Sequence, residues 1–206
     1  MLRFYRTPTL LKKIFPGLLW DLPVKDRQLF LTFDDGPVPG PTDFVLDQLD
    51  RVEAKATFFC IGDNIRKHPE TFNKILAAGH RIGNHTYNHI SGWSNGASDY
   101  VDNIKKCEVL IPSMGKPLFR PPYGRINPFA LRALHNHSIV MWDILSYDFD
   151  SRINTEAVLK EMIRLIRPGS IVVFHDSFKA EKNLKLLLPG YLDFLVSNHY
   201  LLQSIN

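Results

Sequence analysis

Short apolar runs that end abruptly alternate along the chain with longer segments whose apolar residues recur every three or four positions. The first pattern predicts strands and the second predicts helices. Gln28-Leu29-Phe30-Leu31-Thr32-Phe33 is the clearest run, closed by Asp34-Asp35-Gly36-Pro37. Ala56–Ile61, stopped by Gly62, is a second, and Arg81–Asn84 a short third. Strand-like pieces recur at 118–120, 138–142, 170–175 and 200–202. Between them, Pro41–Glu53 puts Phe44, Val45, Leu46, Leu49 and Val52 on one broad apolar face, and Pro41 and Thr42 suit a helix start. Helical patterns also cover 69–78, with Gly79 as the stop, and 97–111, 128–135, 155–166 and 184–196. About seven strands alternating with helices predict parallel βα units, hence an α/β fold. A full eight-fold barrel takes about 250 residues, so these 206 predict a distorted, trimmed (β/α) barrel with about seven parallel strands. Residues 1–27, with prolines at 8, 16 and 23, read as an irregular lead-in with one short helix, packed on or near the barrel. Residues 28–206 read as a single domain.

Composition changes this picture little. A hydrophobic content of 45% and a charged content of 22% are those of a soluble globular protein. The net charge of +4 is spread along the chain, with no Lys/Arg run or basic–aromatic stripe, so nucleic acid is not an expected partner. Cys60 and Cys107 lie far apart and outside any metal-type spacing, which reads as two small buried apolar residues rather than a disulfide. No stretch approaches the ~18 apolar residues of a membrane span. Arg3, Arg6, Lys12 and Lys13 accompany Leu10, Leu11 and Ile14 near the start, without an Ala-x-Ala-like cleavage site. The expected location is cytoplasmic, with a noncleaved amphipathic N-terminus at a membrane surface, or export by it, as the alternative.

The candidate chemistry gathers at strand ends. In parallel α/β folds the ligand site lies at the C-terminal strand ends, and Asp34-Asp35, His85, Arg120, Asp148 and His175 all fall there. Two adjacent carboxylates repel each other unless something positive is near, and a divalent cation is the usual remedy. Alone, the pair fits a solvated Asp-Gly turn equally well. His85 and His89 are four apart, so a helical turn there would put both imidazoles on one face. With Asp35 they form a 2-His-1-carboxylate set with open positions, which suits a catalytic ion, most simply zinc, with cobalt, nickel or manganese as alternatives. An ion in such a set lowers the pKa of its water toward neutrality, and Asp34 is the natural proton acceptor. Arg120 precedes the stiff Pro121-Pro122 pair and can hold Asp34 ionised and oriented. The loop's backbone N–H can serve a developing oxyanion. His175, ending the run Ile171–His175, is placed as a general acid with Asp148 as its carboxylate partner. Phe149 and Val173 would wall a small apolar pocket, to which Pro122 is assigned as well.

Taken together, these residues resemble the polysaccharide deacetylase (NodB-homology, carbohydrate esterase family 4) domain. Its five motifs are matched in order by Thr32–Gly36, His85–His89, Arg120–Gly124, Asp143–Phe149 and Val173–His175. The resemblance implies a distorted (β/α) barrel and metal-dependent hydrolysis of N-acetyl groups on amino sugars, in a peptidoglycan- or chitin-like polymer or oligomer. It assigns Asp34 as base, Asp35, His85 and His89 as metal ligands, and Arg120 as the group orienting Asp34. The Tyr123 N–H becomes the oxyanion donor and His175 the acid tethered by Asp148. Phe149 stands where the family usually has Trp, and Leu145 where an acidic residue is common, which reshapes the acyl pocket. Two other readings remain open: a deformylase or amidase acting on another acylated sugar or cyclic amide, and a catalytically silent carbohydrate-binding module.

Overall fold

A computed structural model describes residues 3–206. Met1 and Leu2, the start of the expected lead-in, lie outside the described residues. The elements run α1 (Thr9–Ile14), β1 (Gln28–Asp34), α2 (Pro41–Arg51), β2 (Thr57–Cys60), α3 (Gly62–Lys67), α4 (Pro69–Ala77), β3 (Arg81–Asn84) and α5 (Ala97–Glu108). They continue through β4 (Leu118–Phe119), β5 (Ser138–Ile139), β6 (Ile144–Leu145), α6 (Thr155–Leu165), β7 (Ile171–His175), α7 (Glu181–Ser197) and β8 (Leu201–Leu202). The strands form one sheet in the order β5-β4-β3-β2-β1-β7-β6, with β8 on β1. Every ladder in it is parallel.

The order explains the curl. β5 and β6 occupy opposite edges yet are separated only by residues 140–143. At ~3.5 Å per residue that link spans at most ~18 Å, so the sheet must bend until its edges nearly meet. The lead-in covers the remaining seam. The Leu19 N–H donates to the Ile139 carbonyl, and the Leu19 carbonyl accepts from Met141. On the other side, the Thr7 N–H donates to the Asp143 carbonyl and the Leu145 N–H to the Tyr5 carbonyl. The result is a distorted, trimmed barrel with an α/β architecture.

Strand period decides which side chains reach the interior. On β1, Leu29, Leu31 and Phe33 pack outward into the helix-covered core with Phe58, Phe174 and Leu188. Phe30 faces inward with Phe59, Val140 and Ile171, and Thr32 and Asp34 follow it on the same face. β7 alternates likewise, with Ile171, Val173 and His175 inward. The register pairs Asp34 with His175 across β1 and β7, so the base and acid candidates enter the barrel mouth side by side.

Four element expectations need correction. The helix expected over 128–135 is only a 3₁₀ turn at Ala130–Arg132, because Ala130 and Leu134 plug a satellite core that needs no longer helix. α7 begins at Glu181 rather than 184 and runs through Pro189. Two elements were not expected: β6, a two-residue strand, and α3, a short helix that begins at Gly62. Both cysteines are buried and free. Among the described residues, no helix is long and apolar enough to cross a membrane.

Candidate active site

Asp34 is the last residue of β1 and is almost wholly buried. Arg120, fully buried after β4, donates to its Oδ1 at 2.6 Å and to Thr32 Oγ1 at 2.8 Å. The guanidinium also donates to the carbonyls of Val140 and Met141 and lies 4.1 Å from the centre of the Phe59 ring. Burial disfavours its charge, and the Asp34 carboxylate opposes that loss. The base candidate is thereby fixed from behind, with its free oxygen toward the barrel mouth.

One residue later the backbone turns left-handed, with φ 81° at Asp35. Positive φ at a non-glycine residue costs free energy and persists where surrounding structure enforces it. Here the Asp35 carbonyl accepts from Asn64 Nδ2 at 2.7 Å. Thr86, His89, Tyr123 and Tyr147, all near the site, share this conformation. His85 and His89 are therefore brought together by a kinked loop and not by the helical turn their spacing predicted. Asn84 Oδ1 accepts from Thr86 N, and Asn103 Oδ1 accepts from both Tyr87 N and Asn88 N, holding that loop.

The three ligand candidates converge. One donor atom each from Asp35, His85 and His89 lie within 4.8 Å of one another. Asp35 Oδ1 is 3.2 Å from His89 Nε2 and 3.7 Å from His85 Nε2, and it is buried without a hydrogen-bond partner. His85 Nδ1 sits 2.8 Å from the Arg120 carbonyl, which can only accept, so that nitrogen carries the proton and Nε2 keeps its lone pair. Burial, then the neighbouring His85, push the His89 imidazole down to about 4, so it is neutral near pH 7. Burial works to raise the Asp35 carboxyl, but nearby positive charge, that of His175 foremost, outweighs it and holds the group below its ordinary value. An orphaned carboxylate oxygen facing two imidazole nitrogens fits a divalent cation of the zinc type.

His175 closes the opposite wall. Asp148, fully buried, accepts from the His175 N–H at 2.8 Å and lies 2.7 Å from its Nδ1. Burial alone would lower this imidazole, but the carboxylates of Asp148, Asp35 and Asp34 raise it to about 9. His175 is thus a cation at neutral pH.

These groups face a cavity of about 460 Å³. Phe149 and Val173 line it as expected, and the Phe149 ring meets His175 edge-on at 5.0 Å. Pro122 does not line it. Pro121, still extended with φ −71° and ψ 131°, takes that place, and Pro122 is buried at the start of the tight turn that presents Tyr123. Tyr123, exposed at the rim, sets its hydroxyl 3.2 Å from His89 Nδ1.

Two residues escaped the sequence reading. Asp176, directly after His175, accepts from Gly36 N and from the Thr42 hydroxyl and so ties the loop after β1 to β7. Its burial pushes the carboxyl up to about 8. Asp143, within the fourth motif, sits away from the cavity. It accepts from Lys12, Ser170 and Arg167 on the seam side.

Comparison with known proteins identifies the family. Residues 21–142 match the polysaccharide deacetylase family. The chain belongs to that family. It is 33% identical over 166 residues to a peptidoglycan-N-acetylglucosamine deacetylase of Bacillus cereus, covering 76% of each chain. It is 31% identical to a chitooligosaccharide deacetylase of Rhizobium leguminosarum bv. trifolii, over 84% of this chain and 82% of that one. The solved structure of the Bc1960 peptidoglycan N-acetylglucosamine deacetylase superposes with a TM-score of 0.86 at 27% identity, over 97% and 95% of the two chains. Some relatives are much longer: this chain spans 58% of a second Bacillus cereus deacetylase and 33% of Bacillus subtilis PdaC. The match over 21–142 ends before the Asp148–His175 pair, so that half of the polysaccharide deacetylase site rests on the geometry above.

Proposed function

We propose that the chain removes N-acetyl groups from amino sugars in a peptidoglycan- or chitin-like polymer or oligomer, with a divalent metal as cofactor. The observation that carries this reading is the arrangement around one cavity. A carboxylate held by Arg120 and an imidazolium held by Asp148 flank a three-donor cluster.

A cation held by Asp35, His85 and His89 would supply Lewis-acid polarisation of the acyl carbonyl and acidify a water molecule beside it. Asp34 takes the proton from the attacking water as its oxygen adds to the carbonyl carbon. Arg120 keeps that carboxylate aimed through its hydrogen bond, and the Tyr123 N–H at the rim donates to the oxyanion. When the C–N bond breaks, His175 protonates the departing sugar amine and acetate leaves. Phe149 and Val173 shape an apolar seat for the acyl methyl group.

The test is acetate release from chitooligosaccharides, peptidoglycan fragments and O-acetylated xylan, with protein stripped of metal and then supplied with zinc or cobalt. Metal-restored release is expected. Asp34→Asn should lower kcat by at least ~10³-fold, within the range of general-base losses, while zinc binding measured by titration stays intact. Retained turnover in that variant refutes the assignment of Asp34. Formylated sugars run in parallel distinguish a deformylase, and glycan binding without any product would mark a silent binding module.

A further inference from the structure

Beside the catalytic cavity lies a larger hollow of about 640 Å³, within the ~300–1,000 Å³ range of small-molecule sites. Tyr123, Gly124, Trp142 and Leu145 line both, so the two spaces adjoin. The outer wall is the lead-in, which contributes Phe4, Leu11 and Phe15 at 59%, 41% and 49% exposure. Ile126, Pro128 and Leu131 complete it from the other side. No residue of α1 is buried, although three of its six are apolar. An open apolar surface of this extent marks a binding site.

The lining has few polar groups to offer, and most are already committed. The Thr7 hydroxyl donates to the Trp142 carbonyl at 2.7 Å, and the Tyr147 hydroxyl donates to the Phe4 carbonyl at 3.3 Å. Trp20 Nε1 donates to the Phe15 carbonyl, and the Tyr123 hydroxyl is engaged with His89. A sugar ring seated here would bury hydroxyls against Leu, Ile, Pro and Phe and leave them unsatisfied, which is costly. A hydrocarbon chain loses nothing of that kind and gains from every methylene it removes from water. Arg125, exposed and stacked 5.1 Å from the Trp93 ring centre at the groove edge, adds a cation beside the apolar lining. Apolar walls with a cation at the margin suit an amphiphile with an anionic group.

We propose that this groove holds the hydrocarbon chain of an amphiphilic substrate, so that the N-acylated sugar reaches His175 and Asp34 while attached to a lipid-type carrier. The proposal rests on the deacetylase reading of the adjoining cavity. Leu145 lines both spaces, so the sugar and the hydrocarbon chain would meet at an apolar side chain.

The test titrates the full chain with N-acetylglucosaminides bearing methyl, hexyl and octyl aglycones, below micelle-forming concentrations, and reads heat by calorimetry. Affinity should rise from methyl to octyl by more than 10-fold, at up to ~4-fold per methylene. Leu11→Asp and Phe15→Asp, both on exposed positions, should each return octyl affinity to that of the methyl compound. Leu186→Asp on the exposed face of α7 should leave the gain intact. Equal affinity for methyl and octyl compounds, or a gain that survives both groove variants, overturns the proposal. Sedimentation with phosphatidylglycerol vesicles that both groove variants abolish, without any chain-length gain, overturns it too and assigns the patch to a membrane surface. Because binding is read without turnover, a chain-length gain with no acetate release keeps the groove and refutes the deacetylase reading. Acetate release from the methyl compound without the gain does the reverse.

Discussion

His175 shows how one buried pair sets a catalytic range. With a pKa of about 9 against an ordinary 6.5, its protonated form stabilises the fold fully below pH 6.5, and that contribution is lost as pH rises through about 9. The same protonation supplies the acid for the leaving amine, so kcat/KM should fall on an alkaline limb near pH 9. Asp148→Asn removes the carboxylate that lifts the imidazole most. It should move that limb down toward neutrality and cost about 10²–10⁴-fold in kcat; a pH–rate profile reads both. The ligand cluster makes a separate prediction. Asp35 Oδ1, buried without a partner, gains one when an ion binds. Zinc at about 100 times its Kd should therefore stabilise the chain by about 2.7 kcal/mol, and His89→Ala should abolish the shift in a thermal melt.

At the level of elements, the loop from β1 to α2 depends on contacts from β7. Asp176 fills the space where a Cβ on Gly36 would sit, only 2.0 Å from its Oδ2. Gly36→Ala must therefore displace the carboxylate that holds Gly36 N and Thr42. Overpacking of this kind costs about 1–3 kcal/mol. Because Asp35 is the neighbouring residue, metal affinity should fall with stability, which a chemical melt and a zinc titration together would show. The histidine loop is held in an analogous way by Asn84 and Asn103. Neither element encodes its own shape. The loops are strained locally, as positive φ at Asp35, Thr86 and His89 attests, and distant side chains hold them there.

Across the whole molecule, the sheet is left open between β5 and β6, its two edges. Asp143, fully buried there, draws Lys12 from the lead-in and Arg167 from the turn before β7 onto one carboxylate. Burial works to raise its pKa, but Lys12, Ser170 and Arg167 hold it low. That stabilisation is present above the ordinary 3.8 and is lost as pH falls through the lowered folded value. Asp143→Asn leaves Lys12 and Arg167 with Asp21 as their remaining carboxylate and weakens the hydrogen bonds to a buried acceptor, which should cost about 1–3 kcal/mol, with limited proteolysis expected to release residues near the N-terminus first. Most of the strand and helix order of the barrel, the inward set of β1 and the three residues that converge as a donor cluster were legible in the sequence. Each follows from local period, from abrupt stops such as Asp34-Asp35-Gly36-Pro37, and from residue type. β6, only two residues long and outside any apolar run, carries no period, so nothing local announced it. The adjacency of Asp34 and His175 depends on a register between strands about 140 residues apart, and the seating of the lead-in on the seam depends on sheet curvature. The offset from Pro122 to Pro121 and the roles of Asp176 and Asn103 come from the same source. Chain pattern determines which groups point inward, whereas long-range pairing alone decides which of them meet, because only the closed sheet brings their strand ends to one mouth.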